Sequence, residues 1–354
     1  MSRLIVVDAT PYGREPSGAK RRAVEILRRL PALLPGDVFE VHWARDGGPR
    51  PPELELDNVV HATVGVSCRG GASRWRARAR DLRRRRREAA FSHLLVDHGP
   101  VVAPGRVRTV LTVHDLRFLH GYGGVLRGLY GRHLYGRVLR RASAVVAVSE
   151  AVRDEVREAY GADLSPVVAR NAPSLPARPP DDPAVAAALA RLGVTRPYVL
   201  VVGRDEPRKA LRAAVAAWGA ALRASGVGLV VAGAPGFAPE GVTSPGAVAD
   251  DDLAALYAGA RRTIVPSRYE GFALPIVESL AAGTPVLASD LPAHRELLVA
   301  TGSGLVLVPA PRAADGPWPE GAAAMRDGPA PVVAPPSWTW DDAARVVAAT
   351  IRGG

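Results

Sequence analysis

Two glutamates eight positions apart, Glu270 and Glu278, bracket the run EGFALPIVE, which continues as SLAAGTPVLA. A charged carboxylate accepts two hydrogen bonds side by side, which suits the vicinal hydroxyls of a sugar or a ribose. Pro275 fits the first turn of a helix and Gly283 its C-terminal cap. The turn before that helix, residues 271–274, then presents unused backbone N–H groups at a positive helix end, a place for hydroxyls and phosphates. Glu270 falls on the loop and Glu278 about one turn into the helix, so the two can reach different parts of one long polar ligand. Without a ligand the same pair reads as ordinary capping and surface glutamates. A second group, GRDEPRK (203–209), directly follows the apolar run Tyr198–Val202. Gly203 allows a sharp turn at the sheet edge, and Arg208 and Lys209 fall at a helix start, where their charges can meet a diphosphate. Taken alone, such a pair is as well explained by a solvated helix start. Lys209 is informative because only it and Lys20 are lysines among 46 basic residues. His114 closes an apolar strand in VHDL (113–116), a position where a histidine otherwise packs or faces water. Gly18 lies in REPSGAK (14–20), read as a flexible loop ahead of a helix N-terminus.

These residues need elements to hold them. Short Val/Ile/Leu runs at Leu4–Ala9, Val38–Trp43, Leu94–His98, Val110–Val113 and Ala144–Ser149 predict strands in the first half. Tyr198–Val202, Leu229–Ala232, Thr263–Val265, Pro285–Ala288 and Leu305–Val308 predict them in the second. A helix from Gly18 puts Ala19, Ala23, Ile26, Leu27 and Leu30 on one face, with Pro31 as its stop. Strands alternating with helices imply βαβ units, parallel sheets covered on both faces, and ligands at the carboxyl ends of the strands. The stretch 173–183 holds five prolines in eleven residues, too many for helix or strand, and reads as a linker. The expected division is 1–172, linker 173–183, 184–336 and a capped terminal helix in 337–354 that packs back on the first domain, with a Gly/Pro-rich stretch over 309–336.

At 354 residues the chain is too long for one ordinary core. Hydrophobic residues at 47% and charged residues at 23% exclude a disordered chain. No apolar run approaches the roughly 20 residues that cross a bilayer, and the N-terminus has no signal-peptide pattern, so a cytoplasmic enzyme is expected. A single cysteine, Cys68, excludes an internal disulfide and any metal site built on cysteine pairs. The net charge of +11 invites a nucleic-acid reading. With so much Ala, Gly, Pro and Arg, however, the chain reads as the translation of a GC-rich genome, and part of its arginine excess as codon bias. One basic segment stands out, Arg74–Arg87, with Trp75, Ala79, Leu82 and Ala89 on a helical stripe. It reads as a solvated helix face, with contact to a membrane surface or an anionic acceptor, and then to nucleic acid, as the alternatives. No GxxxxGK[ST] occurs, and no GxGxxG follows the first strand, so neither common phosphate-loop motif applies.

In this order, VHDLRF, SEAVRDEV, GRDEPRKA, GAVADDDLAALYAGA, VPSRYEGFALPIVESLAAGTPVLASD and SWTWDDAA resemble a retaining glycosyltransferase of family four, of the bacterial mannosyltransferase-like group. The resemblance runs over nearly the whole chain and is most specific in the C-terminal half. It implies an α/β GT-B fold, two Rossmann-like domains facing a cleft, with a C-terminal helix crossing back. It also implies a hexose moved from a GDP- or UDP-linked donor to an acceptor hydroxyl of a secondary metabolite or glycan precursor. Carried over by position, Glu270 matches the sugar-contacting glutamate, and the backbone of Gly271, Phe272, Ala273 and Leu274 matches the segment binding sugar hydroxyls and phosphate. Glu278 matches the ribose ligand, Arg208 and Lys209 the pair that neutralises the diphosphate, and Val248 the main-chain contact to the base. His114 matches the histidine lining the reaction centre, and Gly18 the loop glycine near the phosphates. Such enzymes typically use no metal and no further cofactor. Three positions depart from the pattern: Ala273 replaces a frequent glycine, Arg204 after Gly203 adds a third cation, and Asn171-Ala172-Pro173 replaces Asn-Gly-Val. The alternatives are an epimerase or phosphorylase on the same fold, or a basic protein that binds nucleic acid or membranes; nucleic acid is not expected as a partner, and peripheral contact with the inner membrane surface would run through Arg74–Arg87.

Overall fold

A computed structural model describes residues 2–13, 17–69, 72–88, 90–101, 105–310 and 333–353. The chain forms two compact units, one of Met1–Asn171 with Thr339–Gly354 and the other of Ala172–Trp338.

The first unit is built on a seven-stranded sheet, every pair parallel. Its strands are β1 (Leu4–Asp8), β2 (Val38–Ala44), β3 (Val59–Val64), β4 (His93–Val96), β5 (Arg108–Val113), β6 (Ala144–Ala147) and β7 (Val167–Val168), in the order β3-β2-β1-β4-β5-β6-β7. The helices are α1 (Gly18–Leu27), α2 (Leu30–Leu33), α3 (Ala72–Glu88), α4 (Val125–Tyr130), α5 (Gly136–Arg141) and α6 (Glu150–Tyr160). Strands β1 and β4 are near-continuous apolar runs because both faces of the sheet are covered. Ser17 caps α1, its hydroxyl accepting from the Lys20 N–H at 3.2 Å. Helix α1 ends at Leu27, before the expected proline stop; Pro31 instead occupies the first turn of α2, where its missing N–H costs nothing.

The second unit carries β8 (Tyr198–Val202), β9 (Gly228–Ala232), β10 (Thr243–Gly246), β11 (Arg262–Val265), β12 (Val286–Ser289) and β13 (Leu305–Val308), in the order β10-β9-β8-β11-β12-β13. All of its pairs are also parallel. Its helices are α7 (Pro183–Arg191), α8 (Leu211–Ala224), α9 (Asp250–Gly259), α10 (Leu274–Ala281) and α11 (Pro292–Thr301). Pro183 opens α7 with Asp182 as its cap, so the last residue of the proline-rich stretch is helical. One apolar layer packs Trp218 and Leu222 of α8 against Val201 and Val231. The other packs Leu189 and Tyr257 against Leu200 and Val230.

Helix α12 (Trp340–Arg352) belongs to the first unit, where it meets α1, α2 and β7. It starts with a capping box: the Asp342 N–H donates to the Thr339 hydroxyl at 3.3 Å, and the Thr339 N–H donates to the Asp342 carboxylate at 2.8 Å. Trp340, Ala344, Val347 and Ile351 are buried. Most of the Gly/Pro-rich stretch 309–336 lies outside the described residues, as do Ala89 and positions 14–16. Among the described residues no helix is long and apolar enough to cross a membrane.

In both sheets the order reverses between the first and fourth strands, β1/β4 and β8/β11. In doubly wound sheets the carboxyl ends of those two strands are where ligands bind.

Candidate functional site

In the second unit, both strands at the reversal point deliver ionisable residues. Gly203 prolongs β8, its N–H donating to the Ala232 carbonyl at 2.9 Å. The chain then makes a single 3-10 turn, Pro207–Lys209, which brings Arg208 and Lys209 back towards the segment that follows β11. That segment supplies Glu270. Its Oε1 accepts from Lys209 Nζ at 2.5 Å and from the Ser267 hydroxyl at 2.6 Å, and its Oε2 accepts from Arg208 Nη1 at 3.4 Å. The Arg268 N–H also donates to the Arg208 carbonyl at 2.8 Å, tying the two segments by backbone. The Glu270 side chain is 6% exposed. Burial by itself would raise its pKa, but the charges of Lys209 and Arg208 and the hydrogen bonds from Lys209 and Ser267 win, holding it at about 2. Arg208 Nε lies 2.8 Å from Glu206 Oε2, so both cations face carboxylates. Arg204 is exposed at the start of the same loop.

Glu270 leads into α10 through Ala273, which adopts φ 78° and ψ 68°. Ala273 and Ala210, the cap of α8, are the two non-glycine residues of positive φ among those described. The left-handed conformation costs an L-residue about 1–2 kcal/mol, and here both instances turn the chain into a helix beside Glu270 or Lys209. Pro275 lies in the first turn of α10, and Gly283, at φ 76°, closes it as the Gly283 N–H donates to the Leu280 carbonyl at 3.0 Å. Gly271, Phe272 and Ala273 are buried. Among the described residues no partner is placed on the amides of Phe272, Ala273 or Leu274, which leaves donors at the positive end of an eight-residue helix. Glu278 is buried inside α10, with the Tyr257 hydroxyl 3.5 Å from its Oε2. Val248 lies half-buried between β10 and α9, against the α9 layer.

Two residues near Glu270 carried no signal of their own in the sequence. Ser267 is one. The other is His294 of α11, fully buried, whose Nδ1 lies 2.7 Å from the Ser289 carbonyl; that acceptor puts the ring proton on Nδ1. Burial lowers its pKa, and Glu270 and Lys209 both act on it electrostatically. Among the described residues its Nε2 has no hydrogen-bond partner.

The first unit has its own polar cluster at the carboxyl ends of β1, β4 and β5. His114 Nε2 lies 2.6 Å from the Asp97 carbonyl and 3.1 Å from its carboxylate. The Tyr12 hydroxyl donates to Asp97 at 2.7 Å, and Arg22 Nε stands 3.4 Å away. Burial opposes ionisation of Asp97, yet His114, Arg22 and Tyr12 hold its carboxyl far below the usual range. Because the carbonyl can only accept, His114 keeps a proton on Nε2 and presents Nδ1. His98 stacks edge-on to His114 at 5.7 Å; burial and His114 push its pKa down to about 4. Gly18 is the first residue of α1 rather than part of a loop, a correction that follows from the Ser17 cap.

Helix α3 differs from a solvated basic face. Arg78 is 1% exposed, with Nε 3.1 Å from Asp8 Oδ1 and Nη1 2.5 Å from Asp81 Oδ2 and 2.9 Å from His42 Nδ1. Arg85 Nε donates to Glu40 at 2.9 Å, which, ahead of the opposing effect of burial, holds that carboxyl at about 2. Arg74 donates to the Cys68 carbonyl at 2.8 Å. The inner side of α3 therefore carries arginines as well as Trp75 and Leu82, because Asp8 and Glu40 on neighbouring strands face it.

Residues 16–172 match the family model described as Glycosyltransferase Family 4, and residues 196–316 the one described as Glycosyl transferases group 1. Similar characterised proteins include O-antigen chain mannosyltransferase B of Escherichia coli, 47% identical over 64 residues, which are 18% of this chain and 16% of that protein. Another is O-antigen chain mannosyltransferase RfbU of Salmonella typhimurium, 25% identical over 204 residues, 53% of this chain and 54% of the relative. The chain thus matches at most about half the length of these two relatives. Among solved structures, Anabaena HepE in complex with UDP and glucose superposes with a TM-score of 0.68 at 18% identity, over 98% of this chain and 95% of that one.

Proposed function

The chain belongs to family four of the glycosyltransferases and has the GT-B fold, and on that footing we propose that it moves a hexose from a nucleoside diphosphate sugar to an acceptor hydroxyl with retention of configuration. The observation that carries this reading is the buried Glu270 held by Lys209 and Arg208 at the β8/β11 reversal, beside the amino end of α10. Mannosyltransferases among the relatives favour a mannose-like hexose. The UDP bound to HepE favours a nucleotide donor, GDP- or UDP-linked. The acceptor is a secondary metabolite or a glycan precursor.

In this reading Arg208 and Lys209 take the diphosphate, with Gly203 giving their loop its turn and Arg204 adding charge at its start. The amides of residues 271–274 take phosphate oxygens and sugar hydroxyls. Glu270 accepts from the hexose, Glu278 from the ribose, and main chain at Val248 meets the base. His114 lines the reaction centre, and Gly18 sits near the phosphates. The bond from the anomeric carbon to the phosphate oxygen breaks while the acceptor oxygen bonds to the same face of that carbon. The acceptor's proton passes to the departing phosphate, so no separate carboxylate base is required. Preorganised cations are worth most at the oxygens where negative charge grows, and here they do what a metal ion does in other transferases. Turnover is therefore expected to survive EDTA.

The test is a thermal-shift panel with GDP, UDP, dTDP and ADP. A nucleotide that binds only the folded protein, at about 100 times its dissociation constant, adds about 2.7 kcal/mol. One nucleotide should raise the melting temperature of the wild type and raise that of Glu278→Ala much less. Silence from all four overturns the proposal.

A further inference from the structure

From Leu116 to Ser149 the sequence contains six arginines and not one Asp or Glu. The middle of this stretch is a rod formed by α4, a π-helical turn over Gly131–Tyr135, and α5. Its sidedness is the reverse of an ordinary amphipathic helix. Glycines face inward: a Cβ on Gly131 would lie 2.1 Å from the Phe118 ring, and one on Gly136 would lie 2.8 Å from Tyr160. The aromatics are turned inward as well, with Tyr135 stacked edge-on against Phe118 at 5.3 Å and Tyr130 set 5.8 Å from Trp75. Four aliphatic residues point out, whereas Leu139 of α5 is buried and Val138 half-buried. Val125 is 80% exposed, Leu126 83%, Leu129 50% and Leu134 45%, four of the nine large apolar residues exposed among those described. Arg127, Arg132 and Arg137 are exposed on the same rod. Among the described residues no carboxylate is paired with these three.

We propose that this rod docks the first unit onto an anionic lipid surface, Val125, Leu126, Leu129 and Leu134 entering the acyl boundary while Arg127, Arg132 and Arg137 meet the headgroups. A contiguous apolar patch rimmed by cations is the signature of an interfacial element. Arginine long enough to snorkel suits the rim. A single-stranded nucleic acid would want aromatic platforms on the outside, and here the aromatics are all spent on the inner face. The surface is distinct from α3, whose Arg74, Arg78 and Arg85 are engaged within the unit.

The test is co-sedimentation of the full chain with vesicles of equal parts phosphatidylcholine and phosphatidylglycerol, beside vesicles of phosphatidylcholine alone. The wild type should pellet with the first and much less with the second. The triple variant Val125→Ser, Leu126→Ser, Leu129→Ser should lose at least about tenfold in partitioning, with its melting temperature and circular dichroism unchanged because these side chains are exposed. Arg80→Ser with Arg83→Ser on α3 should partition like the wild type. A wild type that pellets with neither vesicle overturns the proposal, as does a triple variant that pellets normally or an α3 variant that alone loses binding. Light scattering that shows a dimer broken by Leu126→Ser, without vesicle binding, assigns the patch to a second copy instead. Binding of a DNA duplex without vesicle binding assigns it to nucleic acid.

Discussion

Lys209 and Glu270 are 61 positions apart in sequence and 2.5 Å apart in space. Replacing Lys209 by Ala should lower turnover by at least ~100-fold, the usual cost of losing a preorganised charge at a developing anion; near-normal turnover would remove it from the machinery. The Glu270 carboxyl titrates at about 2 rather than its ordinary 4.5. A depressed folded-state pKa means the pairing stabilises fully above 4.5 and is lost as pH falls towards 2. The melting-temperature gap between wild type and Glu270→Gln should therefore be widest near neutrality and narrow below pH 4.5. Ala273→Gly tests the strained turn: relief of the left-handed penalty outweighs the entropy glycine costs the folded state, so a gain of about 0.5–1 kcal/mol is expected in urea unfolding. At this scale the sequence was legible where residue type was rare, as with a lysine in an arginine-rich chain. Ser267 and His294 were not legible, because nothing in a lone Ser or His announces that folding will set it beside Glu270.

Among the elements, βαβ alternation could be read directly from the apolar runs, since a buried parallel strand must be apolar along its whole length. Three strands leave only a weak mark in the sequence, for physical reasons. β3 and β10 are edge strands whose residues are half-buried or exposed, and β7 is two residues long. Helix α3 was visible as a helix, but its arginine partners were not, since Asp8 and Glu40 lie on strands distant in sequence. Capping chemistry offers a clean test at this scale. Thr339→Ala removes one half of the capping box of α12 and should cost about 1 kcal/mol, seen as a drop of roughly 2–4 °C in melting temperature. An unchanged melting temperature would mean that packing of Trp340 alone sets the start of that helix.

For the whole molecule, the net charge of +11 understates how basic the surface is, because among the described residues six buried carboxylates, Asp8, Glu25, Asp37, Glu40, Asp97 and Glu278, outnumber the buried arginines Arg22, Arg78 and Arg262. Arginine counts alone could not separate these from the exposed ones. The division into two units also localises an outcome. If the donor site lies at the β8/β11 reversal, a stabilising nucleotide should slow amide hydrogen exchange most at Phe272–Ile276 and around Lys209; strongest protection at β1 or β4 would place the donor in the other unit.

The membership of α12 has a consequence for how the protein is made. The first unit needs a helix that is translated only after all of Ala172–Trp338. A nascent chain therefore holds every residue of the second Rossmann-like unit while the first still lacks the partner that covers α1 and α2. Ile26 and Leu27, which share a cavity wall with Val347, wait exposed through that interval. Synthesis runs from the first unit to the second, but completion runs the other way. Slowing translation just before codon 339 should lengthen the window in which a chaperone can capture the apolar face of α1.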